Sequence, residues 1–208
     1  MPLKKELIGV SKFLSMVLRH KPDMIGITLD ANGWTDVKEL IDRSNTFQKS
    51  EGFTPMTKAI LDEVVADNDK KRYEYSEDGW QIRACQGHSV DVDLDLDAKT
   101  PPKYLLHGTA KQFIQSIKSN GLNKRKRNHV HLSKDHDTAV KVGSRHGTPH
   151  VLRIDTEAMR KDGIDFFLSN NDVWLVDEVP SKYIDFNYND LIPKMDVKTF
   201  KPLKKIVK

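Results

Sequence analysis

"SKFLSMVLRHKPDMIGITLDANGW", residues 11–34, contains signals for a helix, a helix stop and a turn in one continuous run. The apolar side chains between residues 13 and 18 keep helical spacing, and Ser11 is a residue type that favours the N-cap. Pro22 disfavours helical geometry at the residue before it, so we expect the helix to end near His20. The segment "ITLDANGW" then predicts a short strand and an Asn-Gly turn.

The next elements extend this pattern into a small module. The segment "DVKELIDRS" (residues 36–44) predicts a second helix, and Thr54 followed by Pro55 predicts the start of a third. The segments "RYEYS" and "WQIRAC", which lie between residues 72 and 85, predict a β-hairpin. Helices followed by a hairpin predict an N-terminal winged-helix lobe, to which we assign residues 1–97.

The chain changes character after this module. Residues 91–97, "DVDLDLD", alternate aspartate with apolar residues, which favours an exposed strand over a metal site, and two prolines follow soon after. Residues 98–190 contain short apolar runs and a helical segment that Gly121 should end. We therefore predict an α+β protein with a second lobe over residues 98–190 and a basic tail over residues 191–208.

Composition restricts the class of protein. No apolar run is long enough to span a bilayer, and the N-terminal "MPLKKELIGV" lacks the apolar stretch of a secretory signal. Cys85 is the single cysteine, so no internal disulfide can form. We expect an intracellular, cytoplasmic protein without membrane association, with a nuclear location also open. The basic segment at residues 123–129 suggests a polyanionic partner.

Histidines in the second half allow several interpretations. In "HVHLS", His129 and His131 should share one face of a strand, because side chains alternate with period two. With His136 they could bind zinc, or one of them could line the pocket of an organic ligand; a half-exposed strand with ordinary histidines is also possible. The glycine of "HGT", Gly108, would let backbone amides approach a ligand closely.

Arginines are the candidates for binding phosphate, because the planar guanidinium can donate two parallel hydrogen bonds. Arg19 and His20 also suit a helix C-terminus, where the dipole favours cations. Taken alone, these features allow a two-domain protein that binds nucleic acid through a winged helix. The candidates are Arg19, Arg72, Arg83, Arg127 and Arg145.

Seven ordered segments resemble the tRNA 2′-phosphotransferase family, which removes an internal RNA 2′-phosphate with NAD as co-substrate. They are "SKFLSMVLRHKPDMIGITLDANGW", "NDKKRYEY", "IRACQGHS", "YLLHGT", "KRNHVHLS", "VGSRHG" and "NDVWLVDEVP". The resemblance implies a C-terminal lobe of the ADP-ribosyltransferase type after the winged helix, with the active site in the cleft between the lobes. It also implies an RNA substrate with an internal 2′-phosphate, expected to be a tRNA splice junction. We expect a monomer that needs no metal.

The family's essential Arg-His-Arg-Arg set falls on Arg19, His20, Arg72 and Arg127, although Arg125 stands only two residues from the last position. Val173 stands where many members of the wider superfamily carry a catalytic glutamate, which argues against a protein-modifying enzyme of the glutamate type. The implied NAD-binding residues are His107, Gly108, Thr109, His131, Leu132, Ser133, Gly143 and Arg145. The implied RNA contacts are Arg83, Gln86 and His88.

The reaction implied by the resemblance has two steps. The RNA 2′-phosphate first displaces nicotinamide from NAD, and a ribose hydroxyl then attacks the phosphorus to give ADP-ribose 1″,2″-cyclic phosphate and RNA with a free 2′-hydroxyl. Arg19, Arg72 and Arg127 would hold the phosphate, and His20 would transfer a proton in the second step. Two alternatives remain: a winged-helix protein that binds nucleic acid without catalysis, and an ADP-ribosyltransferase that acts on nucleic-acid phosphate ends.

Overall fold

The computed structural model of the chain describes residues 7–47, 55–67 and 71–188. It combines helices with several small antiparallel sheets, which confirms the predicted α+β class. The predicted basic tail, residues 191–208, lies outside the described residues. Within the described ranges, no helix is both long and apolar enough to cross a membrane.

The described residues form two compact units. The first unit contains the described residues up to Asp97 together with residues 125–128 and 169–171, and the second unit contains the other described residues. The sequence predicts a single cut after Asp97. Two short segments of the second half nevertheless belong to the first unit, and one of them carries Arg127.

The described part of the first unit consists of three helices and one three-stranded sheet. The elements are α1 (Leu7–Val17), β1 (Thr35–Asp36), α2 (Val37–Phe47), α3 (Lys58–Ala66), β2 (Tyr73–Tyr75) and β3 (Gln81–Ala84). Strand β3 lies between β1 and β2 and is antiparallel to both. Helix α2 and the β2–β3 hairpin are therefore confirmed, whereas the winged-helix assignment stays a prediction.

Helix α1 differs from its prediction at both ends. Ser11 is not its N-cap but a buried residue inside the helix, because the apolar stripe extends back to Leu7 and Val10. The regular helix ends at Val17, three residues before His20, although the amide of His20 still donates to the Met16 carbonyl at 3.0 Å. The chain is thus already leaving the helix at Arg19 and His20.

Two other boundaries also differ. Helix α3 starts at Lys58 with Thr57 as N-cap, whose side chain accepts a hydrogen bond from the Ile60 amide at 3.2 Å. The predicted cap, Thr54, lies outside the described residues. Among the described residues, no strand precedes the turn at Gly33, and the sheet strand β1 follows it. The Asp30 carboxylate accepts from the Trp34 amide at 2.8 Å and closes the turn locally.

One buried cluster joins the helices of the first unit to its sheet. Leu14 and Val17 of α1 share this cluster with Leu61 of α3 and Ile82 of β3, and all four side chains are fully buried. Burial of a side chain of this size stabilises a fold by roughly 1.5–3 kcal/mol. The core therefore fixes the end of α1 relative to the hairpin.

The described part of the second unit is richer in strands. Its helices are α4 (Ile114–Asn120), α5 (His136–Gly143) and α6 (Thr156–Lys161). Its strands are β4 (Tyr104–Ala110), β5 (Leu122–Asn123), β6 (Val130–Leu132), β7 (Pro149–Asp155), β8 (Phe167–Leu168), β9 (Trp174–Val176), β10 (Glu178–Val179) and β11 (Ile184–Asp185). They pair in the orders β11-β7-β4, β6-β9-β8 and β10-β5. Gly121 ends α4 with a φ of +69°, which confirms the predicted helix stop.

Two glycines let helix α5 pack directly onto the backbone of β4. A Cβ atom at Gly108 would lie 1.7 Å from the Ala139 carbonyl oxygen, and a Cβ at Gly143 would lie 2.4 Å from the Thr109 carbonyl oxygen. Real Cβ atoms do not approach backbone this closely. Both glycines are therefore required by helix–strand packing.

Gly108→Ala should destabilise the protein by about 1–3 kcal/mol or more, because the new methyl group must displace helix α5. The measurement is the free energy of unfolding in urea. Gly9→Ala is the matched control, since Gly9 lies exposed in α1 with nothing within 4 Å of its added Cβ. That control should stabilise the protein by up to about 1 kcal/mol. Equal effects of the two substitutions would contradict the packing argument.

Candidate active site

Arg19 lies just beyond α1, where its main chain and its side chain both hold neighbouring segments. Its carbonyl accepts a hydrogen bond from the Ser89 amide at 2.8 Å. Its guanidinium Nη2 donates to the Arg72 carbonyl at 3.3 Å, and the same carbonyl accepts from the Cys85 amide at 2.9 Å. Arg19 and Arg72, which are 53 residues apart in the sequence, are thus brought together.

Arg19 is a partly buried cation among other cations. Burial lowers the pKa of its guanidinium from the ordinary value, and the positive charges of Arg72 and Arg127 act in the same direction. Among the described residues, no carboxylate belongs to the main groups that shift the pKa of Arg19. Crowded positive charge creates a potential that attracts anions.

His20 follows Arg19 in the sequence, and the charges of Arg19 and Arg127 both act on its ring. We call Arg19, His20, Arg72 and Arg127 the arginine cluster. The Nδ1 atom of His20 lies 2.8 Å from the Ser89 hydroxyl, at hydrogen-bond distance. Partial burial lowers the pKa of His20 below 6.5, and the charges of Arg19 and Arg127 lower it further. The ring is consequently neutral at pH 7 and able to accept a proton.

In the basic segment at residues 123–129, Arg127 is the arginine whose positive charge lowers the pKa of His20. Its side chain is exposed, and the next residue, Asn128, fixes the segment on the first unit. The Asn128 amide donates to the His88 carbonyl, and its side-chain Nδ2 donates to the carbonyls of Val90 and Val92, each at 3.1 Å. Arg125 is also exposed but is not among the groups that shift the pKa of His20. The electrostatic environment of His20 therefore favours Arg127 over Arg125.

Tyr73 connects the two elements from which Arg19 and Arg72 project. Its hydroxyl donates to the Ser11 carbonyl in α1 and lies 2.6 Å from the Ser15 hydroxyl. Because Tyr73 begins strand β2 directly after Arg72, this bond holds the end of α1 and the start of the hairpin in register. Sequence reasoning missed Tyr73, since nothing in the local pattern indicates a partner 62 residues away.

The three predicted RNA contacts lie in different environments. The side chain of Arg83 is only 11% exposed; it pairs with the Glu74 carboxylate at 2.7 Å and stacks on the Trp34 ring at 4.3 Å. This guanidinium holds the fold and is not presented to a ligand. His88 is 1% exposed, so it is buried as well, whereas Gln86 is partly exposed. Of the three, only Gln86 lies where an RNA could reach it directly.

The predicted NAD-binding residues of β4 and β6 are neighbours in the second unit. Leu106 and Ser133 exchange two backbone hydrogen bonds of 2.8 and 2.9 Å, which sets the two strands side by side. The Nδ1 atom of His107 lies 3.0 Å from the His131 carbonyl, and both histidine side chains are partly exposed. This edge therefore brings together His107, Gly108, Thr109, His131, Leu132 and Ser133.

Gly143 and Arg145 lie at the end of α5, the helix that packs on β4, and in the turn that follows it. Gly143 ends helix α5 against the Thr109 backbone, so packing explains this glycine without a ligand. The same applies to Gly108, whose missing side chain accommodates Ala139 rather than leaving open space for a ligand. Among the predicted NAD-binding residues, Arg145 is exposed to solvent, in the short turn after α5.

The zinc interpretation of the histidines is not supported by their positions. The His129 ring faces the Phe167 ring at 6.1 Å, whereas the His136 ring faces Tyr188 at 6.4 Å. In the portion of the chain that the structure describes, no three His, Cys, Asp or Glu side chains come together as metal ligands do.

Cys85, whose amide bonds the Arg72 carbonyl, is not a nucleophile. The thiol is 4% exposed, and burial together with the Glu74 charge raises its pKa to about 12. It therefore stays protonated at neutral pH, when only the thiolate is reactive.

Guanidinium groups beside a neutral imidazole are chemically suited to an anionic ligand such as a phosphate. Comparison with known proteins narrows this class. Residues 5–178 match the profile of the family described as RNA 2′-phosphotransferase, Tpt1 / KptA family. A Flavobacterium johnsoniae protein is 53% identical over 178 residues, covering 86% of this chain and 95% of the relative. A Rhodopirellula baltica protein is 51% identical over 187 residues, covering 89% and 99%.

Both relatives are named "Probable RNA 2′-phosphotransferase", as is a protein of Acaryochloris marina that is 49% identical over 181 residues. The match covers most of the chain and nearly the whole length of each relative. The chain therefore belongs to the RNA 2′-phosphotransferase, Tpt1 / KptA family, which confirms the resemblance found from the sequence.

The pKa of His20 should respond to Arg127 and not to Arg125. In the ligand-free protein the ring should titrate below 6.5, and Arg127→Ala should raise its pKa because a positive charge that opposes the imidazolium is removed. Arg125→Ala is the matched control and should leave the pKa unchanged. The measurement is an NMR titration of the ring carbon and proton shifts of His20. An equal shift in the two variants would mean that Arg127 does not belong to the cluster.

Proposed function

We propose that this protein is an RNA 2′-phosphotransferase that transfers an internal RNA 2′-phosphate to NAD. The observation that carries the proposal is the convergence of Arg19, His20, Arg72 and Arg127 within one unit of a chain from this family. These side chains suit a phosphate dianion in charge and in hydrogen-bonding capacity. The RNA that we propose is a tRNA carrying a splice-junction 2′-phosphate.

The first step joins the two substrates. An oxygen of the RNA 2′-phosphate attacks the ribose carbon that bears nicotinamide; a carbon–oxygen bond forms, the glycosidic carbon–nitrogen bond breaks, and nicotinamide leaves. Positive charge develops on the sugar during this displacement. Holding the dianion in place is therefore the main requirement, and the arginine cluster meets it without a protein nucleophile.

NAD would be held by the second unit. The edge formed by β4 and β6 presents two partly exposed histidines, His107 and His131, next to the backbone of Ser133. Such groups can bond to ribose hydroxyls and phosphate oxygens. Exposed Arg145 adds a cation that could pair with the pyrophosphate.

The second step releases the products. The adjacent ribose hydroxyl attacks the same phosphorus; a new phosphorus–oxygen bond closes the 1″,2″-cyclic phosphate, and the bond to the RNA 2′-oxygen breaks. The proton of the attacking hydroxyl must reach the leaving RNA oxygen. His20, which is neutral at pH 7, can accept the first proton and return it, while the arginines offset the charge on the phosphoryl oxygens.

The contacts of Arg83 do not favour the alternative in which the protein binds nucleic acid without catalysis. A winged-helix binder would use Arg72 and Arg83 of the hairpin to touch nucleic-acid phosphates. The Arg83 guanidinium instead pairs with Glu74 and stacks on the Trp34 ring. It also donates to the carbonyls of Asn32 and Leu94. The hairpin thus lacks one of the two contacts that the alternative needs.

Incubation of the protein with NAD and an RNA that carries one internal 2′-phosphate should yield nicotinamide, ADP-ribose 1″,2″-cyclic phosphate and RNA with a free 2′-hydroxyl. The same RNA without the 2′-phosphate is the control and should leave NAD intact. Products are separated by chromatography and gel electrophoresis. Lack of NAD consumption with both RNAs would overturn the proposal. ADP-ribosylated RNA that never proceeds would instead support the transferase that modifies nucleic-acid ends.

Arg72→Ala and Arg127→Ala should each slow turnover by about 10²–10³-fold, because each removes a charge that stabilises the phosphoryl transition state. Where the first step survives, the ADP-ribosylated RNA should accumulate. Arg125→Ala tests the neighbouring arginine and should stay near the wild-type rate. Circular dichroism and unfolding curves show whether each variant is folded. A folded Arg127→Ala protein with full activity would remove Arg127 from the proposed site.

A further inference from the structure

Ser89 contacts the candidate site at two adjacent residues. Its amide donates to the Arg19 carbonyl at 2.8 Å, and its hydroxyl lies 2.8 Å from Nδ1 of His20. One residue therefore bonds both the backbone beside the imidazole and the imidazole itself.

The loop that carries Ser89 is also anchored on its other side. Asn128 donates its backbone amide to the His88 carbonyl and its side-chain amide to the carbonyls of Val90 and Val92. Gly87 adopts a φ of +89°, which favours glycine, where the loop passes the Arg19 guanidinium. Ser89 is thus presented from a loop that is bonded on both sides of it.

The position of one proton on His20 decides which nitrogen can act as a base. A neutral imidazole has one N–H donor and one acceptor nitrogen, and the partner of one nitrogen sets the role of the other. Nδ1 faces the Ser89 hydroxyl. If Nδ1–H donates to that oxygen, Nε2 carries the lone pair.

We propose that Ser89 is a positioning residue that keeps the proton of neutral His20 on Nδ1 and so leaves Nε2 as the nitrogen that exchanges protons with the substrate. This inference rests on the proposed function. In the second step Nε2 takes the proton of the attacking ribose hydroxyl as the new phosphorus–oxygen bond forms. It returns that proton to the RNA 2′-oxygen as the old bond breaks, so the imidazole is unchanged after the cycle.

Nitrogen NMR of the ligand-free protein tests the tautomer without any substrate. At a pH where His20 is neutral, the long-range proton–nitrogen pattern should place the proton on Nδ1 in the wild type. Ser89→Ala should shift the population toward the Nε2–H form while the amide of residue 89 still bonds Arg19. Ser89→Thr keeps a hydroxyl at an exposed position and should retain the wild-type pattern. Ser119→Ala, an exposed serine of α4 that contacts the Gln115 carbonyl, is the matched control.

Single-turnover kinetics tests the consequence. Ser89→Ala should slow the second step by about 10- to 100-fold, by analogy with the loss seen when the hydrogen-bond partner of a metal-bound histidine is removed. The first step should change little, so ADP-ribosylated RNA should accumulate, and Ser89→Thr should restore the second step. Equal slowing of both steps, or a Ser89→Ala variant with the wild-type nitrogen pattern, would overturn the inference.

The two measurements separate this inference from the proposed function. A wild-type protein that converts no RNA would overturn the function and the catalytic part of the inference. The nitrogen pattern would still decide whether Ser89 sets the tautomer. A wild-type protein that is fully active with its proton on Nε2 would overturn the inference alone.

Discussion

Mutual repulsion among Arg19, Arg72 and Arg127 is the constraint on which the candidate site depends. The charges of Arg72 and Arg127 lower the pKa of Arg19, and those of Arg19 and Arg127 lower the pKa of His20. Positive groups this close to one another do not assemble by themselves, so the fold must hold them. The stability of that hold comes from the apolar core of the first unit, in which Leu14, Leu61 and Ile82 are fully buried.

The fold holds the Arg19 guanidinium through a backbone carbonyl. The Arg72 carbonyl accepts from the Arg19 guanidinium, and the Arg19 carbonyl accepts from the Ser89 amide. A carboxylate would stabilise the same arginines, but it would neutralise the charge that an anionic ligand needs. The carbonyl dipole of Arg72 orients the Arg19 side chain and leaves its charge in place. Arg83 illustrates the other solution: it pairs with Glu74, and its charge serves the fold instead of a ligand.

The sequence predicts local elements of this fold better than the contacts between them. Gly121 acts on its immediate neighbours, so the end of α4 follows from residue type, whereas α1 ends at Val17, three residues before the end that Pro22 predicts. Ser11 is misread as a cap because a serine can be buried in a helix when a distant hydroxyl, here that of Tyr73, lies beside it. The packing role of Gly108 is likewise absent from the local pattern, because its need for a missing side chain comes from Ala139 of α5. The arginine set was predicted through family resemblance, whereas Ser89 and Asn128 became visible only through their hydrogen bonds.

The arginine charges that lower the pKa of His20 would also link phosphate binding to proton transfer by that imidazole. Without a ligand, the surrounding guanidinium charges disfavour imidazolium and keep His20 neutral. A phosphate dianion among the same arginines would oppose their field, and the affinity of His20 for a proton would rise. The imidazole would thus be a better proton acceptor when phosphate is bound than when the site is empty. The arginines would then act twice, first by holding the phosphate and then by letting that phosphate prepare His20 for the proton it must carry.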